Sequence, residues 1–292
     1  MQKNKLLDWA IFLLLTLIWG SSFILMKHSK EQLTAPQIAA LRIFSAGLVF
    51  LPFALFHLAK LPRKKIFFVI LSGITGNLLP AFLYAAAISN NIDSSLAAIL
   101  NSFTPVFVVI IAIIFFRDKI SSIKLIGVLT GFVGVALLFY SWKGIGFENL
   151  GYASLVLLAT VFYGMNVNMV SHFLKDLNPI HIATVSIAFM IIPTAFVLWQ
   201  ENFLQLAFDD EKVQFAILES TMLGIVGTAI ATALFYVLIK RAGGLFASLV
   251  TYSIPIVGIV LGIADGETVG PVQFGCLGII LAGVYITSKN SK

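Results

Sequence analysis

The chain has 292 residues, of which 59% are apolar and only 11% charged, with a formal net charge of +6 and a mean hydropathy of +1.00. A soluble domain keeps about a quarter of its residues charged to face water, so most of this surface has to meet lipid. The single cysteine, Cys276, excludes a disulfide framework and reads as a small buried apolar residue.

Taken in chain order, ten apolar stretches approach or exceed the roughly 20 residues that a bilayer core demands. They are Trp9–Met26, Pro36–Ala59, Ile66–Ile92, Ser94–Phe116, Leu125–Trp142, Asn149–Leu174, Leu177–Gln200, Val213–Ile239, Ala242–Ala264 and Thr268–Ser288. Arg42 interrupts the second and Glu219 the eighth. The runs are continuous rather than alternating, and backbone groups in hydrocarbon must bond within their own segment. Helices are therefore expected, not barrel strands. The first run follows Lys3 and Lys5 as a signal peptide would, but it is too long and no small-x-small cleavage site follows.

With the N-terminus inside, fourteen of the nineteen Lys and Arg residues fall on the cytoplasmic side, among them Lys60, Arg63, Lys64, Lys65, Arg117, Lys119, Lys124, Lys240 and Arg241. Four, Lys27, Lys30, Lys143 and Lys212, fall outside, and Arg42 lies within a run. That asymmetry predicts both termini in the cytoplasm of an inner (plasma) membrane. It also accounts for the basic pI of 9.4 without nucleic acid as a partner.

The sequence repeats itself. Ala97 and Pro105 recur at an offset of 150 as Ala247 and Pro255, and Asp118 and Gly134-Val135 are echoed by Glu267 and Gly283-Val284. Trp19-Gly20 is echoed by Tyr163-Gly164, and Pro36 by Pro179. Two halves, 1–145 and 146–292, would hold five helices each. Five is odd, so the second half would enter the membrane the other way up, as in inverted-repeat transporters with midplane sites.

On Trp19-Gly20-Ser21-Ser22-Phe23, Arg42 after Pro36, and Ala97, Pro105, Asp118, Gly127 and Gly134-Val135, with the weaker second copy, the chain resembles the EamA-type family of the drug/metabolite transporter superfamily along its whole length. The resemblance implies a ten-helix bundle with a central cavity and export of metabolites such as amino acids. Asp118 stands where that family usually has Glu, and Tyr163 where its second half often has Trp.

Several residues could carry transport. Proline removes one helical hydrogen bond and frees the carbonyl four residues back. Pro105 should free the carbonyl of Asn101, and Pro255 that of Thr251. A polar side chain beside a freed carbonyl makes a compact donor–acceptor site, or else a plain packing kink. Asn77 near Pro80, together with Asn166 and Asn168, extends this polar set. Trp19, Tyr84, Tyr163 and Tyr236 could line an apolar pocket or sit at the membrane interface, and Ser22 comes with the first-helix motif. Trp142 and Trp199, at segment ends, read as interfacial. Gly127-xxx-Gly131 and Gly258-xxx-Gly262 read as close helix contacts inside the bundle.

Arg42 and Glu219 each lie about two turns into their runs. They could snorkel outward separately, pair as part of an outer gate, or leave Arg42 to hold a substrate carboxylate. His181 reads as a capping or interface residue. No metal-ligand spacing and no phosphate-binding Gly-Lys-Ser/Thr motif is present, so neither a cofactor nor direct ATP drive is expected. The expected function is secondary export of a small organic metabolite by alternating access, with substrate and membrane lipid as partners and a monomer sufficient. Transport of phosphorylated or nucleotide-linked sugars would want several buried cations. An embedded enzyme or receptor would want a convergent cluster at depth, and none is present.

Overall fold

The computed structural model describes residues 5–90, 92, 94–141, 150–264 and 270–289, and among them every regular element is helical. The first half contains α1 (Lys5–Ser29), α2 (Ala35–Leu58), α3 (Arg63–Gly73), α4 (Leu79–Ser89), α5 (Ser94–Asn101), α6 (Thr104–Phe116) and α7 (Ser122–Ser141). The second contains α8 (Leu150–Phe173), α9 (Pro179–Ala188), α10 (Ile191–Gln200), α11 (Glu211–Gly224), α12 (Ala231–Ala242), α13 (Gly244–Ser248), α14 (Val250–Ala264) and α15 (Pro271–Lys289). Seven stretches are long and apolar enough to cross a membrane, and Ser122–Leu138, Gly244–Val257 and Phe274–Ser288 are shorter apolar helices.

The bundle is inside-out relative to a soluble protein. Phe53, Leu55, Phe115 and Ile192 stand on the outside, whereas Thr160, Ser186, Thr194 and Ser220 are fully buried. Lipid accepts the apolar exterior, and the buried hydroxyls mostly donate to carbonyls of their own helices, as Thr160 does to Leu157 and Thr194 to Met190. Helix starts are capped by side chains. Thr34 and Gln37 form a reciprocal capping box on α2, while Asn178 and Asp210 accept from the amides of Ile180 and Lys212.

The apolar runs are not unbroken helices. Ser102 and Phe103 separate α5 from α6, so Pro105 sits in the first turn of a new helix, where its missing N–H costs nothing. In the other half Pro255 remains inside α14. Two π-helical turns, Ile74–Leu78 and Ile225–Ile230, interrupt the third and eighth apolar runs. The first precedes Pro80, which cannot donate; the second contains Gly227 and Thr228. Gly243, with φ of 92°, makes the sharp turn from α12 into α13 that a side chain would strain.

Packing relates the halves. α1 packs against α11, α12 and α14, as α8 packs against α3, α4 and α6. α2 packs on α9, and α7 on α15. The last crossing has glycine on both sides: a Cβ at Gly283 would meet the backbone of Gly127 and Gly131. Gly127-xxx-Gly131 therefore serves a contact inside the bundle. The side chains of Gly258-xxx-Gly262, Trp142 and Glu267 lie outside the described residues.

Candidate functional site

The broken runs converge on one interior cavity of about 80 Å³. That is room for a handful of waters and well short of the roughly 300 Å³ of a pocket filled by a drug-sized ligand. α1 contributes Trp19, Ser22, Phe23 and Met26; α2 contributes Arg42; the first π turn contributes Gly76 and Asn77; and α4 contributes Tyr84. Asn101 and Thr104 flank the α5–α6 break. The other half supplies Tyr163, Asn166 and Val167 from α8, Gly227 from the second π turn, Thr232, Phe235 and Tyr236 from α12, and Thr251 and Ile254 from α14.

The nine residues expected to contact substrate, Trp19, Ser22, Asn77, Tyr84, Asn101, Tyr163, Asn166, Tyr236 and Thr251, all line this one cavity, together with Arg42. Trp19 and Tyr84 are turned inward rather than toward an interface. The Trp19 indole N–H donates to the Gly227 carbonyl in the second π turn (3.0 Å), and the Tyr84 hydroxyl donates to Asn101 Oδ1 (2.8 Å). Tyr236 donates to Asn166 Oδ1 (3.3 Å) and Thr232 to Asn77 Oδ1 (2.9 Å), so both π-turn regions are tied across the cavity. Asn168 lies elsewhere, donating to the carbonyls of Val108 and Gly164.

The freed carbonyls already have partners. The Asn101 carbonyl accepts from Thr104 Oγ1 (2.8 Å), and the Thr251 carbonyl accepts from Ser102 Oγ (2.9 Å). The second bond joins the two repeat-equivalent breaks directly. The expected donor–acceptor site therefore reduces to side chains, because a hydroxyl three residues on takes the Asn101 carbonyl and one from the other half takes the Thr251 carbonyl.

Arg42 and Glu219 do not pair. Arg42 Nε donates to Thr228 Oγ1 (2.8 Å), and the Arg42 side chain faces the cavity instead of snorkelling. The Glu219 carboxylate is held by His28 Nδ1 (3.1 Å) and Ser29 Oγ (3.4 Å). The guanidinium is drawn inward because the π turn offers a hydroxyl there, and Glu219 has nearer partners on α1. The other described ion pairs are Lys65–Asp176 (3.1 Å), His172–Asp118 (3.1 Å) and Arg241–Asp8 (2.5 Å). Lys65 holds the exposed Asp176 carboxyl below its ordinary value of 3.8. His181 packs its ring on His57 at 4.6 Å, an interface between α9 and α2. Trp199 is exposed at the end of α10, and among the described residues no group of three His, Cys, Asp or Glu could hold a metal.

A wider recess of about 660 Å³ lies beside the Asp118–His172 pair, lined also by Lys119, Lys124 and Ser171. Val167 lines both hollows and is itself buried. Sequence reasoning missed Phe23, Met26, Gly76, Thr104, Val167, Gly227, Thr232, Phe235 and Ile254 as lining residues. The repeat carried a signal for five of them: Phe23 and Val167 are equivalent positions, as are Thr104 and Ile254, and Gly227 is the equivalent of Asn77.

The family model described as "EamA-like transporter family" matches residues 8–140 and again 150–289. An uncharacterized transporter of Archaeoglobus fulgidus is 25% identical over 285 residues, covering 96% of this chain and 98% of that one. The uncharacterized inner membrane transporter YedA of Escherichia coli K12 is 24% identical over 284 residues, covering 94% and 88%. A protein of known crystal structure shares the fold at a TM-score of 0.73 and 16% identity, over 96% of each chain. Matched over both halves, the chain belongs to the EamA-like transporter family: it is a multi-pass membrane transporter and not an enzyme.

Proposed function

We propose that this transporter exports small organic metabolites such as amino acids across the inner membrane by alternating access between two inverted halves, 1–145 and 146–292. The observation that carries the reading is the pairing of cavity residues. Trp19/Tyr163, Ser22/Asn166 and Phe23/Val167 are offset by 144, and Asn77/Gly227, Asn101/Thr251 and Thr104/Ile254 by 150. One cavity lined by equivalent positions from both copies is the arrangement expected when the site lies on the axis relating inverted repeats. Counting the three shorter apolar helices as spans gives ten helices, and the basic residues put both termini in the cytoplasm.

The described ion pairs support the same reading, because every one of them joins the first half to the second. Asp8–Arg241, Lys65–Asp176 and Asp118–His172 sit at one end of the bundle, and His28–Glu219 at the other. A carrier that opens one end at a time has to break one set while keeping the other. Phosphorylated sugars fit less well: among the described residues Arg42 is the only cation lining the cavity.

The test is metabolite profiling of cells lacking and overproducing the protein. At least one small organic metabolite should accumulate inside the deletion strain and outside the overproducer. Identical profiles in both strains under rich and minimal feeding would overturn the reading.

A further inference from the structure

The cavity is electrostatically one-sided. Among the described residues Arg42 lines it, no Asp or Glu does, and no ion pair includes Arg42. Its Nε is fixed by Thr228 Oγ1, which in turn donates to the Leu223 carbonyl (3.2 Å), so the guanidinium is oriented rather than free to leave. The two Nη groups donate to no described protein atom. A guanidinium away from bulk water without a counter-charge is costly, and such a residue in a membrane protein marks a ligand or a partner.

The hydrogen-bonding inventory points the same way. The amide oxygens of Asn77, Asn101 and Asn166 each accept from a hydroxyl, of Thr232, Tyr84 and Tyr236 respectively. The hydroxyl hydrogens of Ser22, Thr104 and Thr251 go to backbone carbonyls. Uncommitted are donors, above all Asn77 Nδ2, which is buried without any partner on a side chain only 6% exposed. An orphaned buried donor in a native core calls for a group to satisfy it. Here one orphan donor and one unpaired guanidinium line the same small cavity.

We propose that the transported substrates are monoanions, a single carboxylate seated on Arg42 with a second acceptor atom of the substrate taken by Asn77 Nδ2. The rest of the substrate is a compact apolar or aromatic body against Trp19, Phe23 and Phe235, for which the cavity of about 80 Å³ has to widen as one end opens. The carboxylate supplies the missing counter-charge and can accept two guanidinium hydrogens at once. A phosphate dianion would leave a net negative charge with one cation beside it. An amine without a carboxylate would meet a like charge at Arg42 and find no carboxylate to hold it. This rests on the transport reading above and narrows its small organic metabolites to monocarboxylates, leaving out zwitterionic amino acids, whose ammonium would find no carboxylate in the cavity.

The experiment measures binding to the purified full chain by calorimetry, using phenylacetate, phenylacetamide and phenethylamine, which share a body and differ in head group. Phenylacetate should bind at least about tenfold more tightly than the other two, since a lost charged hydrogen bond costs about 1.5–3 kcal/mol. Arg42→Gln should abolish that preference, and Arg42→Lys, which keeps charge but not the fork, should restore part of it. If Arg42→Gln melts out of the folded state, Asn77→Asp reads the same question: it supplies the counter-charge that Arg42 lacks and removes the Nδ2 donor, and should cost phenylacetate its preference. Equal or absent binding of all three probes, or an Arg42→Gln protein that still prefers phenylacetate, overturns the assignment. A strain profile showing export of amines or neutral metabolites overturns it too while leaving transport intact, whereas unchanged profiles count against transport itself.

Discussion

Replacing Gly283 with alanine probes the crossing that closes the bundle between α7 and α15. The new Cβ would lie 2.7 Å from both the Gly127 carbonyl oxygen and Gly131 Cα, and closer still to the Gly131 amide nitrogen. Ordinary contact begins at 3.4 Å, so relieving the approach to the Gly131 nitrogen needs the two helices to part by about 1 Å, since backbone atoms cannot rotate aside. Overpacking of this kind costs about 1–3 kcal/mol, or roughly 2–4 °C of melting temperature per kcal/mol for a chain of this size. The assay is thermal unfolding of the detergent-purified protein. Gly275 and Gly278 lie on the same helix with nothing within 4 Å of their hypothetical Cβ atoms, so their alanine variants should melt with the parent. If Gly283→Ala is neutral, or Gly278→Ala is equally harmful, the glycine stripe does not pack inside the bundle as described.

Tyr84→Phe should lower stability by about 1–3 kcal/mol, because Asn101 Oδ1 is left with only the 3.5 Å approach of Thr104; adding Asn101→Leu should recover part of the loss, which paired melting curves will show. The Lys65–Asp176 pair gives a pH signature. The Asp176 carboxyl is depressed in the folded state, so its contribution is present above the unfolded value near 3.8 and lost as pH falls through the lowered one. Melting temperatures of the parent and Asp176→Asn should therefore converge on acidification below 3.8. Cysteines introduced between 201 and 212 should react with an impermeant reagent from outside, and one beside Lys64 should not; the opposite pattern would reverse the orientation.

The apolar runs gave the helix ends to within a few residues, because the lipid interior leaves few alternatives to a helix and the length of a span is set by the bilayer. Ser94–Phe116 falls on the outer bounds of α5 and α6, and Leu177–Gln200 on α9 and α10 within two residues. What the runs hid was their interiors. Neither the π turns nor the α5–α6 break leaves a mark in hydropathy, since Ile, Val, Gly and Thr suit either geometry, and only Pro80 and Pro105 hinted at them. The cavity lining was legible where polar and aromatic residues stood out in apolar sequence, as with Asn77, Asn101, Asn166 and Tyr163. Phe235 looks like any lipid-facing residue, and only the three-dimensional packing distinguishes it, while Phe23 and Val167 stand out only through their pairing across the repeat. Arg42 and Glu219 were visible as lone charges at matching depth, but Thr228 and His28 are ordinary residues in sequence, so their capture of the two charges was not.

Alternating access to the central cavity is tested most directly by a cysteine at Ser22, which lines the cavity and is 8% exposed, in a Cys276→Ala background. An impermeant thiol reagent applied to whole cells, and separately to inside-out vesicles, should modify that cysteine from both sides, and a transported metabolite should slow both reactions. Modification from one side only, or from neither, would contradict a cavity that opens to each face in turn.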